Sequence, residues 1–330
     1  MKKYFIAFCL SGLCLFLTLG QAVYADDNAD YSLWLENFRE EAQHSGIKAE
    51  ILKTALSQVK PLDWIIKLDR AQPEFTKTLD EYLAGAVTSR RVKEGQRLLS
   101  ENSDILAQVA KEYQVQPRFL MALWGIETNF GLHTGKVPVI GALVTLAYDG
   151  RRSDFFRSEL LAALKILDQG HITYDQMKGS WAGAMGQVQF MPSTFSNFAV
   201  DGNGDARIDL WNTREDYLSS AANYLVKSGW DHKYTWGREV NLPKHLAADD
   251  FGLEQQRSLS EWQKLGVRTI GDKDLPKIEI TASLIQPDGP GGRAFLVYAN
   301  YRVLMKWNRA HRFAIAVGSL ADQIGGRKSQ

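Results

Sequence analysis

The sequence predicts a mainly α, α+β chain: layers of helices interrupted late by one small β-rich insertion. Three observations carry that class. Apolar residues recur at helical spacing over most of the chain. Gly229-Trp230 then marks a change of character, with turn residues and short alternating runs taking over up to Tyr298. Helical spacing returns from Asn300 to Ile324, so the β-rich part is an insertion rather than a tail.

From Tyr31 to about Asn102, Leu33, Leu35 and Phe38 and then Ile51, Leu52 and Leu56 alternate with charged residues, and Pro61 and Pro73 interrupt the run. This reads as several short helices forming one N-terminal layer, residues 26–102. Asp104 to Gly131 reads as two helices broken near Pro117. Helix resumes from Val139 to Leu167 and again from Ser193, giving a central unit over 103–229. In the insertion, 230–298, Ile278, Ile280 and Ala282 alternate with polar neighbours. Asp288-Gly289-Pro290-Gly291-Gly292 is a strong turn signal, and Ala294 to Tyr298 reads as the returning strand. Residues 299–330 are helices returning to the core. No internal repeat or low-complexity tract is present.

The first 25 residues stand apart. Lys2 and Lys3 precede an apolar stretch from Tyr4 to Leu19, and Val23-Tyr24-Ala25 offers small side chains at the −3 and −1 positions of a cut after Ala25. A positive start, an apolar run and a small-residue site read as a secretory signal. A retained membrane anchor is the other reading, since the run is long for a signal, although it is shorter than the ~20 residues a membrane span needs. Cys14 follows Leu13 rather than a small residue, which argues against a lipid anchor. The mature chain is therefore expected to be exported to the periplasm and soluble. Both cysteines, Cys9 and Cys14, lie in the leader, so no disulfide scaffold is expected. The formal net charge of +1 also loses Lys2 and Lys3 and just turns negative. Such a balance gives no electrostatic reason for a nucleic-acid partner.

One carboxylate is out of place. Leu120, Leu123 and Trp124 define a helix face whose continuation lands on Glu127. Burial penalises its charge, and the nearby helix C-terminus opposes it, so its pKa should rise toward what a general acid needs. A structural Glu, paired with a buried Arg or capping a neighbouring backbone, is the other reading of the same pattern. Asp149 and Asp154 are the nearest candidates for a second carboxylate, and both sit in polar, arginine-containing stretches.

Downstream, Gly179-Ser180-Trp181-Ala182-Gly183-Ala184-Met185-Gly186-Gln187-Val188-Gln189 is rich in glycine and in uncharged hydrogen-bonding groups. Gly179, Gly183 and Gly186 suit close backbone approach to a bulky ligand, and Ser180, Gln187 and Gln189 suit sugar hydroxyls and acetamides. A glycine-rich turn that packs helices explains Gln187 equally well. A phosphate cradle is disfavoured, since the run has no Lys. Farther on, Asp201, Asn203, Asp205 and Asp209 fall at positions 1, 3, 5 and 9 of an EF-hand-like loop, with the Arg207 carbonyl available. Ala206 replaces the usual Gly and Asn212 the usual Glu, so calcium and an Asx-rich turn before a helix both fit. The six histidines show no zinc spacing.

Glu127-Thr128-Asn129-Phe130-Gly131 and the run from Gly179 to Phe195 together resemble the B-type lytic transglycosylases, which cleave bacterial peptidoglycan on a lysozyme-like core. Gln72-Pro73-Glu74-Phe75-Thr76, Tyr148-Asp149-Gly150-Arg151-Arg152 and the helix around Ala314–Gly318 extend the resemblance over nearly the whole mature chain. It implies a lysozyme-like helical core and Glu127 as sole catalytic acid, then base. The bond between MurNAc and GlcNAc would open without water, leaving a 1,6-anhydro sugar. It further implies that Ser180, Gln189 and Tyr224 bind the glycan, that Arg151 and Arg152 reach peptide stems or the lactyl carboxylate, and that Asn300 lies at the site. The two arginines also read as a solvated surface pair. A structural Ca2+ would be held by Asp201, Asn203, Asp205, Arg207 and Asp216, with Glu215 as the fallback to Asp216, and no organic cofactor is implied. A monomer acting on glycan strands, with other cell-wall enzymes as possible partners, completes the expectation. The alternatives are a muramidase hydrolysing the same bond and a non-catalytic, calcium-dependent wall-binding protein.

Overall fold

The computed structural model describes residues 22–71 and 77–326, with side chains from Asp30 onward. The leader up to Gln21 with its two cysteines, and the run Gln72–Thr76, lie outside the described residues.

The N-terminal layer consists of α1 (Ala22–His44), α2 (Ala49–Leu56), α3 (Asp63–Arg70), α4 (Leu79–Ala86) and α5 (Ser89–Glu101). Local chemistry starts the last two. Thr78 and Glu81 form a reciprocal capping box on α4, and the Thr88 hydroxyl accepts from Arg91 N at 3.1 Å to open α5. Then come α6 (Ser103–Tyr113) and α7 (Pro117–Thr128), and Pro117 sits in the first turn of α7, where a missing N–H costs nothing.

The sequence showed one apolar face on α7, but the helix is buried almost all round, every residue from Phe119 to Gly125 included. Helices α5, α6, α11 (Arg214–Lys227) and α14 (His311–Ile324) enclose it. A helix so surrounded is a fixed post for the side chains at its end. Between these come α8 (Val139–Tyr148), α9 (Ser153–Asp168) and the short α10 (Pro192–Phe198). The expected helix from Ser193 onward is thus broken by a loop from Ala199 to Thr213.

The N-terminal layer is not a separate body. Leu35, Phe38, Leu56 and Leu79 join the same continuous core as Phe119, Leu143, Phe190, Tyr217 and Ile315. Buried Asp69 on α3 takes two arginines from the α8–α9 turn, which ties the layer down further.

Seven short strands occur among the described residues. β1 (Val137–Pro138) pairs with β2 (Lys178–Gly179) and closes the loop after α7 onto the glycine-rich run. The insertion is an antiparallel sheet of order β4-β6-β7-β3-β5, from β3 (Gly237–Asn241), β4 (Arg257–Ser258), β5 (Arg268–Thr269), β6 (Thr281–Ile285) and β7 (Ala294–Val297), with α12 (Leu259–Lys264) packed on it. Its own small core centres on Trp262, Leu284 and Leu296. The alternation read over Ile278–Ala282 is not a strand face. Ile278 is exposed, β6 starts at Thr281, and Ala282 to Ile285 are all buried because the sheet is covered on both sides. The chain returns to the core through α13 (Ala299–Trp307).

Candidate active site

Glu127 lies in the last turn of α7, where the chain reverses sharply. Asn129, Phe130 and Gly131 all take left-handed backbone conformations, at φ 51°, 58° and 86°. Two of these are not glycine, a strained arrangement held by its surroundings. Asn129 N and Phe130 N donate back to the carbonyls of Gly125 and Trp124. The Phe130 ring packs against Gly125, where an added Cβ would meet it at 2.8 Å.

The Glu127 carboxylate is half-buried and has one hydrogen-bond donor among the described residues, the Trp307 indole Nε1–H at 2.7 Å from Oε1. Trp307 ends α13 and is itself wedged among Tyr224 (ring centroids 4.8 Å apart) and Phe190 (5.3 Å). Phe198 backs Tyr224 at 4.6 Å. Desolvation by this wall pushes the Glu127 pKa up to about 7, and the Trp307 hydrogen bond pulls against that rise. No second carboxylate from the described residues is among the groups acting on it. The group that senses its charge is Tyr82, brought in by α4, whose phenol is held up by burial and then by Glu127. Among the described residues the arrangement is that of a lone carboxyl able to give and take a proton near neutral pH.

Gln187 settles the two readings of its motif in favour of structure. Its Oε1 accepts from Trp124 Nε1 at 2.7 Å and its Nε2 donates to Trp211 O at 2.8 Å, while its own carbonyl accepts from Thr128 Oγ1 at 2.8 Å. The glycines of the run serve the same end. A Cβ at Gly179 would lie 2.1 Å from Ala184 O, and one at Gly186, where φ is +67°, would lie 2.5 Å from Leu210 O. The close approach that Gly179 and Gly186 permit is to the protein's own backbone, and that of Gly183 is to the Leu143 side chain.

Ser180 and Gln189 sit half-buried on this frame. The Ser180 hydroxyl accepts from Ala182 N and Ala184 N, which leaves its own hydrogen to donate. Gln189, at φ 51°, donates through Nε2 to Thr134 O and Gly186 O, and no donor among the described residues takes its side-chain carbonyl. Each thus retains one hydrogen-bonding function.

Three of the expected contact residues have partners within the protein; Asn300 is buried, while Arg151 and Arg152 stay partly exposed. Asn300 is fully buried, and its amide accepts from Asp231 N and donates to Asp231 O and Tyr234 O. It braces the loop before β3 and has no surface to offer a ligand. Arg151 and Arg152 are committed to Asp69, the former at 2.6 Å, so they dock the α8–α9 turn onto α3. Burial opposes the Asp69 charge, but the two guanidiniums prevail and hold its pKa low. Trp307 and Tyr82 were missed, since neither stands in a motif nor continues a helix face that singles it out.

The loop Asp201–Asp216 folds as an Asx-rich turn. Asp201 accepts from the backbone N–H groups of Gly204, Asp205 and Ala206, and Asp205 from that of Arg207. Ala206 takes φ 68°, the left-handed position that an EF-hand fills with glycine. Asp216 is completely buried and accepts from Gly202 N and Asp209 N. Desolvation raises its pKa, the two backbone donors oppose the rise, and Asp201 and Asp205 add to it. No set of three or more His, Cys, Asp or Glu side chains among the described residues is arranged to hold a metal. The donor chemistry still suits a hard cation, because Asp201 and Asp205 on the loop and Asp216 in the first turn of α11 bring together carboxylates that repel one another.

Residues 30–322 match the sequence profile of the transglycosylase SLT domain. The chain is 28% identical over 295 residues to the membrane-bound lytic murein transglycosylase B of Escherichia coli K12, covering 84% of this chain and 79% of that one. Among solved structures it resembles SltB3 of Pseudomonas aeruginosa in complex with NAG-anhNAM-pentapeptide, at 42% identity and a TM-score of 0.87 over 90% of this chain and 80% of that one. It also resembles the Escherichia coli lytic transglycosylase Slt35 in complex with calcium, at 27% identity and a TM-score of 0.75 over 90% and 92% of the two chains.

Proposed function

The chain belongs to the transglycosylase SLT domain family and is a lytic murein transglycosylase acting on peptidoglycan; we propose that Glu127 performs its chemistry alone. One observation supports this above the rest. The carboxyl is desolvated to a pKa of about 7 and, among the described residues, holds one neutral donor and has no carboxylate partner acting on it. A hydrolase with paired carboxylates needs a second acid to activate water or form a glycosyl-enzyme.

In this reading the protonated Glu127 gives its proton to the glycosidic oxygen between MurNAc and GlcNAc. As that bond breaks, the 2-acetamido group of the same MurNAc stabilises the positive charge at C1. The Glu127 carboxylate then takes the proton of the MurNAc C6 hydroxyl, whose oxygen bonds to C1. Glu127 ends protonated as it began, and no water enters. Tyr224 and the aromatic wall line the groove, and Ser180 and Gln189 offer their remaining hydrogen-bonding groups to the sugars.

We further propose a structural calcium ion in the loop, held by the Asp201, Asn203, Asp205 and Asp216 side chains and the Arg207 carbonyl. When bound it supplies no chemistry and offsets the mutual repulsion of the carboxylates. The leader read in residues 1–25 supports export to the periplasm, where a monomer would work on peptide-bearing glycan strands. No described helix is long and apolar enough to cross a membrane.

Glu127→Gln tests the assignment. A folded variant should release soluble products from purified sacculi at least about 10³-fold more slowly than wild type. Release at the wild-type rate would remove Glu127 from the chemistry, and no release by the wild type itself would leave the wall-binding reading.

A further inference from the structure

A cavity of about 700 Å³ opens beside the turn that follows Glu127. One wall is the first part of α5, which brings Arg90, Arg91, Lys93 and Arg97 against one acid, Glu94. The other wall is apolar, made by Phe130 and Leu132. Leu132 is 65% exposed, more than any other large apolar side chain described.

The four cations are not equivalent. Arg97 is spent on its own helix, paired with Glu94 at 2.6 Å and with Glu101. Arg91 is fixed as part of the wall, donating to Asn129 Oδ1 at 3.2 Å and to the carbonyls of Gly85 and Ala86. Arg90 and Lys93 are exposed, three residues apart on one helix face, and form no close ion pair among the described residues, although the Arg90 charge is felt by Glu94. Two exposed positive charges opposite an exposed leucine and a phenylalanine make an amphipathic site. It suits a ligand with carboxylates and short aliphatic groups better than a plain anion.

Position narrows the ligand. Phe130 stands three residues after Glu127, so their backbones are separated by at most about 11 Å of chain. A five-residue peptide extends over roughly 17 Å, which is enough to reach from a sugar at Glu127 into the cavity. Resting on the reading of the chain as a peptidoglycan-cleaving enzyme, we propose that this cavity is the subsite for the carboxylate-bearing stem peptide. Arg90 and Lys93 meet its carboxylates, and Phe130 and Leu132 meet its alanine-like side chains.

The test uses the full chain carrying Glu127→Gln, so that ligands bind without turnover. Calorimetry compares NAG-NAM-pentapeptide with the peptide-free disaccharide, with and without Arg90→Glu and Lys93→Glu. With the cations intact the peptide should tighten binding about ten-fold, and charge reversal should erase that difference. Arg90→Gln with Lys93→Gln, which removes charge without adding any, should give an intermediate loss if the contact is local. An unchanged preference in the reversed variant overturns the proposal, as does equal weakening of both ligands. Failure of the parent reading appears separately, as wild-type release of products by Glu127→Gln.

Discussion

The indole of Trp307 donates to the carboxylate of Glu127 at 2.7 Å across 180 residues of sequence, joining the end of α13 to the end of α7. The contact opposes the desolvation that raises the Glu127 pKa, because an N–H donor favours the ionised form. It stabilises the state in which Glu127 must act as base while burial keeps the acid form accessible.

Replacing Trp307 by Phe removes the donor and keeps most of the wall. The ionised form then loses a charge-assisted hydrogen bond, so the pKa rises further. The alkaline limb of the pH–rate profile should move up by about one unit, with a lower maximal rate. An unmoved limb would show that the indole does not tune the acid.

Stability should report the same carboxyl. Its folded pKa, about 7, is above the ordinary 4.5, so the folded state binds more protons between those values. The stability associated with Glu127 is therefore full below about pH 4.5 and is lost as pH rises through 7. Glu127→Gln should be more stable than wild type above pH 7, by on the order of 1–2 kcal/mol, and should show little gain near pH 4. Urea titrations at the two pH values check the sign.

Gln187 should behave as a structural residue. Gln187→Ala strands the Trp124 indole N–H and the Trp211 carbonyl and should cost about 1–3 kcal/mol in denaturant unfolding. Glycan affinity should weaken only as the frame loosens, so loss of binding at full stability would contradict this placement.

Calcium should stabilise the chain through the Asp201–Asp216 loop. At about 100 Kd a bound ion adds about 2.7 kcal/mol, a rise of several degrees in Tm for a protein this size. Asp216→Asn should abolish the response. A Tm identical with calcium and with chelator would count against the ion.

Much of this was legible before any coordinates. Periodicity placed α7, Pro117 marked its start, and the 288–292 turn located the returning strand, because each is a local preference. Glu127 stood out because a charge on an apolar face is a local contradiction. What stayed hidden depends on tertiary contact. Nothing near Trp307 in sequence shows that it reaches Glu127, and Tyr82 arrives from a separate layer. Glycines 179 and 186 advertised close approach without saying to what, and the answer is their own backbone. Asn300 was carried to the site by resemblance, yet burial and three hydrogen bonds give it a bracing role.

The central claim is that one carboxyl opens the glycan without water. Digesting purified sacculi in water enriched in oxygen-18 and weighing the released sugars tests it directly. The account predicts MurNAc termini one water lighter than reducing MurNAc and free of label. Reducing termini carrying oxygen-18 at C1 would contradict it and make the enzyme a hydrolase.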